Sequence, residues 1–332
     1  MQIATALAHS NIAFIKYWGN RDDALRLPVN GSISMNLDGL DTVTTVRFDP
    51  TLDADRFALD GAWETGPKRE RVSTQLNLLR GLAGVDTRAE VLSENNFPQG
   101  TGIASSASAF SALTLAAAAA LGLELSEAAL SRLARRGSGS AARSSPGGFI
   151  EWYLGDGEEN SYAESFAPPD HWDLVDLVAI VSREHKAVGS TGGHPLAPTS
   201  PLQQARIADT PRRLDMCRTA ILERDFGTFA SVIEHDTLVM HSVMMTSEPS
   251  LMYWEPDTLR IMQQVRLWRD EGLPAAFTID AGPNVHVMAL APHSAELQAR
   301  LAALPGVESV RHASAGGPAR LLTEHLTPPR SA

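Results

Sequence analysis

A chain of 332 residues is long for one hydrophobic core, so two lobes of roughly 150 residues or a little more, with a ligand cleft between them, are expected. With 43% hydrophobic and 20% charged residues, the composition is that of an ordinary soluble globular protein and argues against disorder or membrane insertion. The net charge of -11 argues against nucleic acid as a partner, while a phosphorylated ligand requires cations concentrated locally in the cleft.

In chain order, the apolar start "MQIATALAHSNIAFIKYW" lacks a basic leader and is broken by His9, Ser10 and Asn11, so no signal peptide is read. The runs "IATALA", "NIAFIKYW", "SISMNL" and "TVTTVRF" read as strands, joined through "GNRDDALRLPVNG". "RERVSTQLNLLRGLAG" has helical spacing, with Val72, Leu76 and Leu79 on one face and Leu82 as a further candidate for it. The strand "RAEVLSEN", a Gly/Ser turn and an Ala-rich helix follow, and the Ala face predicts close packing. "SEAALSRLARRG" reads as a helix capped by Ser126 and ending at Gly137, and "GGFIEWYLG" as a strand. The segment "GDGEENSYAESFAPPDHWD" reads as a surface connection, and "LVDLVAIVS" as a buried strand.

The lobe boundary is drawn there, dividing 1–180 from 181–332. The second half reads as helices over 201–225, 227–246, 256–271 and 293–303, with strand pairs "AAFTID"/"VHVMAL" and "SVRHA"/"ARLL" and a frayed end from Thr327. Cys217 is the only cysteine, which rules out an internal disulfide and fits a cytoplasmic location. In "DMCRTAILE" it reads as packing rather than a nucleophile.

Four stretches carry chemistry. In "PQGTGIASSAS", Gly100, Gly102, Ser105, Ser106 and Ser108 are poor core formers, but glycines and hydroxyls between a strand and a helix suit a phosphate cradle. Ser106 and Ser108 could offer hydroxyls to a phosphate or to Mg2+; a tight packed turn is the bland alternative. In "GSGSAARSSPGGF", Ser138 and Ser140 with Arg143 suit an anion pocket, against the alternative of a solvent turn. Asp280 in "FTIDAGPNVHV" stands where a strand breaks, as an orienting group or base, or as a turn former. Lys16 interrupts an apolar strand and needs an anionic partner unless it snorkels. The histidines, His235 and His241 included, show no zinc spacing.

Together "NIAFIKYWGNRD", "LPVNGSISM", "NNFPQGTGIASSASAFSAL", "RRGSGSAARSSPGGFIEW", "AVGSTGG", "MHSVMMTSEPSLMYW" and "FTIDAGPNVHV" resemble one family in its own order. It is the ATP-dependent mevalonate 5-diphosphate decarboxylases and their monophosphate-specific relatives, within the galactokinase, homoserine kinase, mevalonate kinase and phosphomevalonate kinase superfamily. The resemblance implies a two-lobed α+β fold with a left-handed βαβ unit, a cytoplasmic homodimer, and use of ATP and Mg2+. It also implies Asp280, Lys16 and Arg143 as catalytic residues. Asn11, Tyr17, Asn20, Ser138, Ser140, Ser190 and Thr191 would lie on the substrate side; Asn96, Gly100, Gly102, Ser105, Ser106 and Ser108 would hold the nucleotide, with Ser106 nearest the metal. The family phosphorylates a tertiary 3-hydroxyl and then expels phosphate and CO2.

Two departures bear on the substrate. Asn20 stands where the diphosphate enzymes usually have Lys ("KYWGK"), and Thr191 follows Ser190 where many bacterial members have Arg. Fewer cations suit mevalonate 5-phosphate, giving isopentenyl phosphate, over the diphosphate. A 3-kinase that stops before decarboxylation would be expected to lose the set that this chain keeps in Asp280, Lys16 and Arg143, and a non-catalytic metabolite sensor predicts tight binding with no turnover.

Overall fold

A computed structural model describes residues 2–97, 105–182 and 188–329. The order is β1 (Gln2–Ile15), a small hairpin of β2 (Asn20–Asp22) and β3 (Leu27–Pro28), β4 (Ser32–Phe48), β5 (Arg56–Leu59), β6 (Ala62–Glu64), α1 (Pro67–Ala83) and β7 (Ala89–Asn95). Next come α2 (Ser105–Ala120), α3 (Glu127–Gly137), a 3-10 turn over Gly139–Ser144, β8 (Phe149–Trp152), β9 (Ala163–Ala167), β10 (Leu174–Ile180) and the one-turn α4 (Ser190–Gly193). The chain continues through α5 (Gln203–Glu223), α6 (Phe226–Met245), α7 (Pro256–Asp270), β11 (Ala275–Thr278), β12 (Val285–Leu290), α8 (Ser294–Ala302), β13 (Ser309–Ala315) and β14 (Arg320–Leu322).

Twelve strands form one sheet, whose main path runs β11-β12-β10-β13-β4-β7-β5-β6. The 17-residue β4 is its spine. It pairs with β1 along its length, with β8 through Ser32–Met35, with β13 at Leu37 and Asp38, and with β7 through Thr42–Phe48. The β-branched run "TVTTV" suits such a pleated, buried strand. Among the described residues β5 and β7, joined through α1, form the only parallel pair.

Four sequence expectations change. The first four strand runs merge into two, because bulges at His9/Ser10 and Ala13/Ile15 let β1 stay paired to β4 through its polar interruption. The segment expected as a connection contains β9, which pairs with β8. The last two strands do not pair with each other: β13 pairs with β10 and β4, and β14 with β1. Leu82 is 57% exposed, so the buried face of α1 is Val72, Leu76 and Leu79 alone of the four.

The Ala-rich α2 packs on β1 and β4 through Ala107, Ala112, Ala116 and Ala117, all fully buried. Its neighbour α3 is capped as expected, the Ser126 hydroxyl accepting from the Ala129 N–H at 3.2 Å. Where α3 ends, a Cβ on Gly137 would fall 2.0 Å from the Phe110 ring, so only glycine permits this approach to α2. Cys217 is fully buried on α5, and burial pushes its thiol up, as befits packing.

Candidate active site

The end of β1, the end of β11, the 3-10 turn after α3 and the start of α2 converge with α4 on a cavity of about 380 Å³. Among the described residues its wall carries Lys16, Arg26, Arg71 and Arg143, and one carboxylate, Asp280. Four cations against one anion, on a chain of net charge -11, make this a local site for anionic ligands.

The Lys16 Nζ lies 2.6 Å from Asp280 Oδ1, with Lys16 1% and Asp280 25% exposed. The lysine does not snorkel; its cavity partner is the carboxylate. Its backbone is fixed from behind, since its N–H donates to Asp236 Oδ2 at 2.7 Å, and its carbonyl accepts from Arg206 Nη2 at 2.5 Å and Asn30 Nδ2 at 2.9 Å. Asp236 is held in turn by Arg213, both fully buried. Just before Asp280, the Thr278 hydroxyl donates to the Ala13 carbonyl at 3.2 Å, tying the end of β11 to the end of β1. Burial raises the Asp280 carboxyl, but Lys16, His286 and Arg143 outweigh it and leave Asp280 below the usual carboxylate value. Burial lowers the Lys16 ammonium, against the pull of Asp280.

Arg143 is 3% exposed and aimed by neutral partners: Nη1 donates to Ser32 Oγ at 2.8 Å and Nη2 to Asn11 Oδ1 at 3.2 Å. Its Nε has no partner among the described residues, and burial lowers it to about 10, so the guanidinium stays charged at neutral pH. Asn11 therefore stands behind Arg143, not on the cavity wall, and its own Nδ2 donates to Ser144 Oγ at 2.8 Å. Ser106, Ser138 and Ser140 form a row of hydroxyls on the wall, 3.0 and 3.4 Å apart. Tyr17 packs between Trp152 and His194, and a Cβ on Gly139 would fall 2.5 Å from its ring.

Ser190 and Thr191 lie exposed on the wall at α4, and Ser105 shares the wall with Ser106. The structure removes others from it. Asn20 does not line the cavity: its Oδ1 accepts from the Tyr17 hydroxyl and its Nδ2 donates to Asp23 Oδ1 at 2.8 Å, so the amide is spent locally. Asn96 is engaged by Asp41, whose N–H donates to Asn96 Oδ1 at 2.8 Å. Ser108 is fully buried against Thr42, Oγ to Oγ1 2.7 Å, which holds α2 to β4 rather than facing a ligand. Gly100 and Gly102 lie outside the described residues.

Sequence reasoning missed Arg26, Arg71 and His194, all on the wall. Arg26 falls in a segment read as a connection, Arg71 in one read as a helix, and His194 is weighed only against metal spacing. A second cavity, of about 180 Å³, shares Arg71, Ser105 and Ser106 with the first. Phe57, Leu59, Val72, Phe110 and Leu113 make most of the rest of it an apolar slot, with Thr44, Lys68, Ser93 and Asn95 as its other polar lining.

An apolar slot opening through two serines onto a cationic cavity, with a paired Asp and Lys at its floor, is a site for an enzyme that brings a nucleotide to a small anion. Residues 8–163 match the family model for the diphosphomevalonate decarboxylase-like N-terminal domain, and residues 176–321 that for the mevalonate 5-diphosphate decarboxylase C-terminal domain. The diphosphomevalonate decarboxylase of Ganoderma lucidum is 38% identical over 320 residues, 89% of this chain and 80% of the relative. The phosphomevalonate decarboxylase of Haloferax volcanii is 35% identical over 323 residues, 97% of this chain and 98% of the relative. A solved structure described as MDDEF in complex with MVAPP, AMPPCP and magnesium superposes with a TM-score of 0.92 at 38% identity, over 97% of this chain and 99% of that one. The chain belongs to the mevalonate decarboxylase family, with the two-lobed α+β fold of the galactokinase, homoserine kinase, mevalonate kinase and phosphomevalonate kinase superfamily.

Proposed function

We propose that this decarboxylase acts on (R)-mevalonate 5-phosphate, using ATP and Mg2+ to give isopentenyl phosphate, ADP, phosphate and CO2. The observation that carries the choice of monophosphate is the state of Asn20: its amide is committed to Tyr17 and to the carboxylate of Asp23. A second phosphoryl group would find no lysine at that position, and Thr191 on the wall offers it a neutral hydroxyl. The diphosphate is the second reading, favoured by the names of most relatives and by the MVAPP in the neighbouring structure. Steady-state kcat/KM for both substrates with ATP and Mg2+ decides between them. A preference for the monophosphate of about 10- to 100-fold is expected. Preference for the diphosphate overturns it.

The chemistry follows from the residues. Asp280 Oδ2 receives the proton of the tertiary 3-hydroxyl as phosphoryl transfer proceeds, and Lys16 keeps the carboxylate ionised until then. The hydroxyl is far too weak an acid to lose its proton first, so Asp280 chiefly orients it. Departure of the 3-phosphate develops positive charge at C3, and the electrons of the C–CO2 bond fill it. Arg143 aligns that bond with the departing C–O bond, aided by Ser138 and Ser140.

The slot would hold the base of the nucleotide, and Ser105 and Ser106, shared by the two cavities, its phosphates. The hydroxyls there are hard oxygen donors that fit Mg2+, and Ser106 is the protein ligand proposed for it; the bound ion would offset charge on the transferring phosphoryl group. The lobes 1–180 and 181–332 divide the labour: the first carries the nucleotide side, the second Asp280. Because β10 pairs with β12 and β13, the division is one of function and not of hydrogen bonding. The homodimer and the cytoplasmic location implied by the resemblance belong to the same proposal.

A further inference from the structure

The loop from β2 to β3 passes through Arg26 at φ +50°, a left-handed conformation uncommon outside glycine. That turn sends the side chain to the cavity wall. Its Nε donates to the Arg136 carbonyl at 2.9 Å, which fixes the stem and leaves the two terminal nitrogens without a partner among the described residues. No carboxylate lies at ion-pair distance from it among the described residues. A guanidinium held by a backbone carbonyl at its inner nitrogen presents its outer edge to a ligand.

His194 stands on the same wall, 8% exposed. Its ring is clamped between Tyr17, centroids 4.2 Å apart, and Trp18, 4.8 Å apart. The Gly19 N–H donates to its Nδ1 at 2.9 Å, so in the neutral ring the proton sits on Nε2. Burial, then Arg26, Arg206 and Arg143, lower its pKa to about 3, so the ring is neutral at working pH. Nε2 has no acceptor among the described residues. Gly19 at φ +98° is required for this arrangement, since a Cβ there would fall 2.8 Å from Gln203 Nε2. Among the described residues, the result is a fixed donor with no acceptor, beside a charged fork with no anion.

We propose that Arg26 and His194, rather than Asn20, grip the 5-phosphoryl group of the substrate, Arg26 through its terminal nitrogens and His194 through Nε2–H. The inference rests on the reading of the substrate as a 5-phosphorylated mevalonate. It names one full charge and one neutral donor, enough for a single phosphoryl group and poor for two.

The test compares mevalonate 5-phosphate with unphosphorylated mevalonate, by KM in the assay and by calorimetric binding to the intact enzyme. Arg26→Gln and His194→Leu are expected to weaken the phosphate by about 10- to 100-fold while changing mevalonate and ATP affinity by less than threefold, on the scale of one lost charge-assisted contact. Arg26→Lys and His194→Gln, which keep a charge and a donor, should recover part of the loss. If Arg26→Gln does not fold, those two conservative variants and His194→Leu carry the comparison. Equal losses for mevalonate and its phosphate, or a loss confined to ATP, overturn the assignment. Should the wild type prefer the diphosphate, the substrate reading fails alone: the inference still stands if the variants lose the diphosphate and not mevalonate.

Discussion

Asp280, the one carboxylate facing four cations among the described residues of the wall, has little freedom in its protonation state, and this governs what each residue of the cavity contributes. Asp280→Asn keeps the shape of the group and its neighbours but cannot take the proton. It should retain ATP and substrate binding while kcat falls roughly 10³-fold or more, measured by single-turnover assay. The Asp280 ionisation lies below the usual carboxylate value because Lys16, together with His286 and Arg143, outweighs burial. Removing the lysine leaves the burial, so the pKa must rise. In Lys16→Met the acidic limb of kcat/KM should therefore move to higher pH than in the wild type; an unmoved limb would show that Lys16 does not set the charge of Asp280.

The elements around the cavity are close-packed where glycines stand, and this is where helix and strand geometry reaches the chemistry. Gly139→Ala would drive a methyl into the Tyr17 ring, so substrate KM should rise at least tenfold while the circular dichroism spectrum is kept. The elements themselves were largely legible. Apolar periodicity located the helices and buried strands, and Lys16 and Asp280 stood out because a charge inside an apolar run demands a partner. What escaped the sequence depends on distant partners. The polar break at His9, Ser10 and Asn11 is absorbed by a bulge whose other half is β4, and β9 hides in an acidic segment because β8 covers one edge of it. Arg26 and His194 carry no local signal, since their meaning comes from a left-handed turn and a backbone N–H on another segment. Asn20 shows the converse: a residue singled out by comparison with a motif turns out to be satisfied by its own loop.

At the scale of the molecule, negative charge on the exterior and positive charge in the cleft give a field that admits small anions and repels acidic macromolecules. Raising ionic strength should screen that field, so kcat/KM for the phosphorylated substrate is expected to fall steeply with added salt while that for unphosphorylated mevalonate, which carries only its carboxylate charge, falls less. Among the described residues no helix is long and apolar enough to cross a membrane.

β4 exchanges hydrogen bonds with β1, β7, β8 and β13, and β13 carries the ladder on to β10 and β12. Neither half of the chain can open its sheet without stripping partners from the other. In amide deuterium exchange, the protons of Val43–Val46 on β4 and of Leu177 and Val178 on β10 should become labelled together, at one common and slow rate, and calorimetry should record one endotherm. Two separate exchange rates for the two strands would mean that the halves breathe apart.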